Sequence, residues 1–409
     1  MLNTKRTILI ILLLLATILI GLAIYFFLFK QQSPFDFFTN DQTTTTTVET
    51  LPGSGQRVVT STDGTIIGAE TLPTAQITQQ PVQPSYFQPK AVEKITSDYA
   101  IFPSLNQDGG YRYHNASDGK FYSITDSGES KLLADKVFYN VSKVTWAETK
   151  DKAVIEYPDD SKIIYDFENN KQVSLPKHWE DFSFSPEGSE IVAKSLGIST
   201  ENRWLITMND DGTGLKTIEP MGNNADYVTV DWSPSRQVIA FSNTGEAIGA
   251  DRTEILLVGL NKENFKALTI EGNGFESEWS PTGKKLLYSA YSARSEYKPE
   301  LWISDAYGDS VNENRQMLNI NTWPDKCSFG DDNTIYCAVP RSLPEGAGMS
   351  KAIANSIYDD LYKIDLSTGL KTPISLDDNY TIQNISFDKK NNKLLFTDIY
   401  DSGVFEVSL

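Results

Sequence analysis

Trp279-Ser280-Pro281-Thr282-Gly283-Lys284-Lys285-Leu286-Leu287-Tyr288 joins an aromatic side chain, a Ser-Pro turn and a run of β-formers without a gap. Proline presets the backbone at the start of such a turn, glycine accepts a left-handed position two places later, and Leu-Leu-Tyr then suits a buried strand. The same order stands at Phe182-Ser183-Phe184-Ser185-Pro186-Glu187-Gly188 and at Val230-Asp231-Trp232-Ser233-Pro234. A β-rich run follows each turn, at 190–195, 237–242 and 285–290. After a gap of variable length comes a third run, at 203–208, 254–259 and 300–305, then a polar turn and a fourth run. Four short strands per unit is the pattern of a propeller blade.

Weaker copies extend the array both ways. Phe102, Trp146, Phe184, Trp232, Trp279, Phe329 and Phe387 mark the end of the first strand in seven successive units, spaced 38 to 58 residues apart. That spacing is centred on the period of a four-stranded blade. Third strands fall in register at 120–125, 162–167, 360–365 and 403–408. The predicted fold is therefore all-β, a seven-bladed β-propeller of four-stranded antiparallel blades over residues 91–409. Six or eight blades are the alternatives, and the strand count favours seven. The last unit ends at Leu409 without a fourth strand, which would leave unpaired backbone groups on a sheet edge. Residues 91–96 have no place in their own unit and are predicted to supply that strand, closing the ring.

The aromatic-Ser-Pro-x-Gly turns resemble those of the TolB-like propeller repeats, a WD40-like family whose blades carry a Trp-Ser-Pro-Asp-Gly turn; residues 279–288 are the nearest copy. The resemblance covers most of 97–409 and is strong in the three central blades. It implies the fold and leaves function open, because such repeats serve scaffolds, surface proteins and peptidase accessory domains alike. TolB itself has an α/β domain ahead of its propeller. Here that place holds an anchor and a linker, so membership of the Tol-Pal system is not implied.

Residues 7–29 carry no charge and, at about 1.5 Å per residue, are long enough to cross a hydrocarbon core of about 30 Å. The expectation is one transmembrane helix acting as a signal anchor. A cleaved signal peptide is the rival, but the bulky Tyr25-Phe26-Phe27-Leu28-Phe29 suits an uncleaved anchor better. Lys5 and Arg6 precede the span and Lys30 follows it, so residues 1–6 are expected in the cytoplasm and the rest outside it. Residues 30–90 are a low-complexity Thr/Gln/Pro-rich linker, read as a disordered tether. A short hairpin over 57–70, turning at Thr62-Asp63-Gly64, is the less favoured reading there.

The 409-residue chain has 36 Lys plus Arg against 54 Asp plus Glu, a net charge of −18. Residues 1–30 and 31–90 cancel, so the whole excess belongs to the ring. With no basic run longer than two, nucleic acid is excluded as a partner.

No catalytic constellation is legible. His114 and His178, the only histidines, lie in different units without companion ligands, so no metal site and no cofactor are implied. No Gly-x-Ser-x-Gly elbow occurs. Asn209-Asp210-Asp211-Gly212-Thr213-Gly214 lacks the spacing of a calcium loop and reads as a hairpin turn. Cys327 and Cys337 flank a short turn; if Phe329 pairs with Ile335, they stand opposite one another, near enough for a disulfide outside the cytoplasm. Two buried thiols are the alternative.

Long connections in compact domains often carry function. Four consecutive units have long second-to-third-strand connections, at 196–202, 243–252, 291–298 and 340–358, which should crowd onto one face. They hold Arg252, Tyr291, Arg294, Tyr297, Lys298, Arg341 and Lys351. Trp179, Tyr227, Phe275, Trp323 and Tyr380 precede first strands close to the channel mouth, where they either pack between blades or form a binding rim.

Two readings of function follow. The first is a membrane-anchored, extracytoplasmic recognition and scaffolding module of the cell envelope, periplasmic or at the cell surface. It would bind an envelope or surface protein, a peptide or a glycan across the long-loop face, and the bilayer through 7–29. The second is a propeller hydrolase of glycosidase or lactonase type. It would use carboxylates from Asp181, Asp226, Asp231, Glu276, Glu278 and Asp325, with Ca²⁺ as an aid. No Ser-x-Asp-x-Gly-x-x-Trp box accompanies them.

Overall fold

The computed structural model describes residues 57–60, 66–70, 88–106, 109–125, 128–249 and 251–409. They fall into two units, Met1–Gln83 and Pro84–Leu409. In the first, Arg57–Thr60 pairs antiparallel with Ile66–Glu70. The local turn signal prevails there over the tether-like composition. The 7–29 span lies outside the described residues; among those described, no helix is long and apolar enough to cross a membrane.

The second unit is a ring of seven four-stranded antiparallel sheets. Blade 3 runs Trp179–Phe184, Glu190–Leu196, Arg203–Asn209 and Lys216–Pro220, and blade 5 runs Asn273–Trp279, Lys285–Tyr291, Glu300–Asp305 and Gln316–Met317. The turn that defines the repeat is built alike in both. Ser280 N–H donates to the Lys285 carbonyl (2.9 Å), Gly283 N–H to the Ser280 carbonyl (2.8 Å), and Lys285 N–H to the Ser280 hydroxyl (3.1 Å). Ser185 does the same work in blade 3, and both serines are buried. Gly188 and Gly283 take φ of 63° and 66°; Arg236 holds 65° at the corresponding place in blade 4, a conformation costly for a residue with a Cβ.

The marker aromatics join neighbouring blades. Trp279 of blade 5 stacks on Phe241 of blade 4 with centroids 5.4 Å apart, and Phe387 of blade 7 on Tyr336 of blade 6 at 4.6 Å. Backbone latches run beside them. Trp232 N–H donates to the Ser183 hydroxyl (3.0 Å) and Phe387 N–H to that of Ser328 (2.9 Å). Each blade face thus buries its apolar residues against the next, so the core is a chain of inter-blade clusters.

Blade 7 contains Ile382–Asp388, Lys393–Asp398 and Val404–Ser408, and its outer strand is Val92–Thr96. Val92 stands opposite Val407, and Thr96 opposite Val404. The two ends of the ring therefore complete one sheet. In blade 6, Cys327–Asp331 pairs with Thr334–Pro340 in the register Phe329↔Ile335, which sets Cys327 against Cys337, and their sulfurs are bonded.

Candidate functional site

Successive strands of a blade alternate in direction, so the two short turns leave one end, while the second-to-third connection and the link to the next blade leave the other. The long connections therefore share a face, and the sequence candidates on it separate into two groups. Trp179, Phe275 and Trp323 pack inward. Trp179 is buried between blades 2 and 3, Phe275 lies edge-on to Phe241, and Trp323 sits 2% exposed under the 340–358 connection with Leu343, Ala347 and Ala354. Tyr227 is 56% exposed. Tyr291 and Tyr297 are half-buried, held by the same connection: Gly348 N–H donates to the Tyr297 carbonyl (2.7 Å), and a Cβ at Gly348 would meet the Tyr291 side chain at 2.7 Å.

The basic side chains of these loops are almost all compensated. Arg294 pairs with Glu300 (3.4 Å), Lys298 with Glu296 (2.7 Å) and Arg341 with Asp360 (2.8 Å). Lys351 bridges Glu276 (2.9 Å) and Asp325 and lies over the Trp323 ring. Arg252 alone of the group is exposed with no ion pair among the described residues. The loops therefore present little free positive charge.

What the face does present is apolar. Of thirteen large apolar side chains exposed among the described residues, eight lie on connections, long or short, that emerge at this face: Tyr99, Tyr139, Ile198, Tyr227, Met349, Ile353, Tyr358 and Tyr400. Leu215, Tyr307 and Leu370 lie on the short-turn face, and Leu132 and Leu256 within strands. Of this rim the sequence reading named only Tyr227. The signal it passed over is a tyrosine in each of several short blade-to-blade or loop segments, such as Ser97-Asp98-Tyr99 and Ile399-Tyr400-Asp401.

A second feature lies inside the ring. In six of the seven blades the residue before the marker lines a cavity of about 500 Å³: Thr145, Ser183, Asp231, Glu278, Ser328 and Ser386 do so together with Glu148. Burial pushes the Asp231 carboxyl up to about 7, and the charges of Glu148 and Asp181 add to it. Glu278, solvent-accessible on the cavity wall, is pushed up to about 8 by the loss of bulk water around it inside the ring and then by the charges of Asp231, Glu148 and Asp325. Burial also raises Glu148, against the pull of Arg112. Arg112, wholly buried, donates to the carbonyls of Ala147 (2.9 Å) and Lys150 (2.7 Å) and stacks on Trp146.

Asp231 and Glu278 thus meet, joined by Glu148, which the sequence reading did not single out. The other carboxylates do not join them. Asp181 accepts Val230 N–H and lies within ion-pair reach of Lys143 and Lys194; Glu276 and Asp325 hold Lys351; Asp226 is exposed. Asn209 to Thr213 closes as a hairpin turn, with Gly212 N–H donating to the Asn209 carbonyl (3.0 Å). His114 is buried with one ring nitrogen against the Phe138 carbonyl (3.1 Å). Among the described residues, no three His, Cys, Asp or Glu side chains are grouped to hold a metal ion.

No family model matches the sequence, and no curated protein matches it. Solved structures do match in fold. The chain is similar to the β-propeller domain of Cps50 (Swd1) from Myceliophteria thermophila, with a TM-score of 0.54 and 10% identity, over 78% of this chain and 100% of that one. An oligogalacturonate lyase from Vibrio parahaemolyticus aligns with a TM-score of 0.51 and 10% identity, over 78% and 93% of the two chains. An oligogalacturonate lyase in complex with manganese gives 0.51 and 12% over the same shares. At such identities the shared property is the fold, and this chain carries a β-propeller.

Proposed function

We propose that this protein is a recognition and scaffolding module of the cell envelope, carried on the 7–29 anchor by the 30–90 linker, with its long-loop face binding a protein, peptide or glycan. The observation that carries this reading is the segregation of exposed tyrosines: Tyr99, Tyr139, Tyr227, Tyr358 and Tyr400 on that face, against Tyr307 on the other. Tyrosine offers a large rigid contact with a polar tip at low entropic cost, and Ser, Gly and Asn in the same loops add adaptable hydrogen bonding. The aromatic-Ser-Pro turns support a TolB-like assignment for the repeats. The similar structures include both a WD40-type domain and a lyase, so fold alone does not choose between binding and catalysis.

The channel carboxylates favour a second reading, a hydrolase. Glu148, Asp231 and Glu278 share a cavity, and two of them, Asp231 at about 7 and Glu278 at about 8, are pushed toward neutrality, as an acid–base pair requires. Two exchanges separate the readings in the full-length protein cross-linked in intact cells. Alanine at Tyr139, Tyr227 and Tyr400 together should abolish partner cross-links while Asp231→Asn with Glu278→Gln leaves them intact. The reverse pattern would sink the recognition reading.

A further inference from the structure

Blade 2 breaks the charge pattern of the ring. Its strands are Lys143–Trp146, Lys152–Glu156, Lys162–Asp166 and Lys171–Leu175, and its connections at 133–142, 157–161 and 176–178 leave on the long-loop face. Beside them lies a cavity of about 470 Å³ whose lining includes Lys136, Lys162 and Lys177, with Tyr157, Ser161 and Gln172, and no carboxylate. In a chain of net charge −18, three lysines around one cavity without an acid are a local inversion of sign.

Lys162 is 5% exposed, and its ammonium donates to the carbonyls of Asp160 (3.1 Å) and Lys177 (3.0 Å), with no ion pair among the described residues. Buried charges are normally paired, and an ammonium has three protons to place. Glu156, opposite Lys162 in the strand register, lies 3.9 Å from Lys143 instead. Lys136 donates to the Gln172 amide oxygen and sits 5.2 Å from the ring centroids of Phe138 and Tyr165, again without a carboxylate. Lys177 has one, Asp159 at 3.1 Å; Asp160, beside it, is exposed and does not line the cavity.

The three ammoniums are also spread out. Gln172, which holds Lys136, and Leu175, which stands opposite Lys162, are three places apart on the outer strand, about 10 Å along it. A single phosphate is too small to reach both ends. We propose that this corner of blade 2 docks an acidic, extended segment of a partner protein, one carboxylate meeting Lys136 and another meeting Lys162 and Lys177. The proposal rests on the recognition reading and names the partner's chemistry. Alternate residues of an extended chain stand about 7 Å apart, and flexible side chains span the rest. A polypeptide fits better than an acidic glycan, because Lys171–Leu175 is the outer strand of its sheet and its open edge pairs with another extended backbone. Tyr139, 69% exposed and three places from Lys136, adds an aromatic contact at the rim.

The test uses the full-length chain in non-ionic detergent and two fluorescein-labelled peptides of equal length, one alternating Glu with Leu and one with Gln for every Glu. The Glu peptide should bind, against the net charge of the ring, and the Gln peptide should not. Lys136→Gln with Lys177→Gln should weaken the Glu peptide about tenfold. Lys262→Gln with Lys389→Gln removes the same charge from exposed positions on the short-turn face and should change nothing. Equal losses in the two variants would mean attraction to any positive charge and overturn the proposal, as would full binding by the Lys136/Lys177 variant. Tighter binding of a labelled oligouronate than of the Glu peptide would assign the site to a glycan, and displacement of the peptide by inorganic phosphate would assign it to a compact anion; either overturns the proposal. If the Glu peptide fails to bind while the Tyr139/Tyr227/Tyr400 exchange still abolishes cellular cross-links, the recognition face stands and only this docking site falls.

Discussion

Val92 stands directly opposite Val407, so a strand at the start of the ring completes the sheet at its end. The adjoining Lys90 strengthens the join: its N–H donates to the Ser375 carbonyl (2.8 Å) and its ammonium to that of Ser408 (2.9 Å). Removing residues 91–96 would bare the edge of Val404–Ser408 and uncover part of the blade 7 core. The deletion should abolish the cooperative thermal transition followed by circular dichroism. An unchanged melting temperature would show that closure does not depend on this strand.

Cys327 and Cys337 are bonded across adjacent strands, with a sequence separation of 10. A loop of that size contributes about 2–3 kcal/mol through the unfolded state. Alkylation in denaturant should label no thiol before reduction and two after it. Cys327→Ser with Cys337→Ser should lower stability in guanidinium by that amount, and equal stability would remove the bond from the account.

The ring was legible because each blade writes its own turn and aromatic marker locally, and the Cys pair because strand register follows from one short hairpin. The site was less legible because exposure depends on what lies above a residue. Trp323 reads as a rim aromatic until the 340–358 connection folds over it, and Lys351 reads as free charge until it meets Glu276, far away in sequence. Glu148 lies two places after its marker rather than one before, and only the closed ring brings it to Asp231 and Glu278.

Trp279 joins blades 4 and 5, whereas Tyr227 contacts mainly solvent. Trp279→Ala should cost about 3–5 kcal/mol in guanidinium unfolding, and Tyr227→Ala less than about 0.5 kcal/mol. Similar losses at both positions would contradict the division between packing aromatics and presented ones.

Asp231 and Glu278 bind protons more tightly in the folded ring, at about 7 and about 8, than in the unfolded chain, where carboxyls titrate near about 4. Their contribution to stability is therefore complete below about pH 4 and is lost as pH rises through about 7 to 8. Asp231→Asn with Glu278→Gln should melt with wild type below about pH 4 and several degrees above it at pH 9. Superimposable melting curves at pH 9 would place these carboxylates in an ordinary solvated setting.

Contact between the long-loop face and a partner is read out by photo-cross-linking in intact cells, with a photoreactive phenylalanine placed singly at Tyr139, Tyr227, Tyr400, Leu215, Tyr307 and Leu370. The expected result is one common cross-linked species from the first three positions and none from the last three. Cross-links confined to Leu215, Tyr307 and Leu370, or spread evenly over both faces, would contradict it.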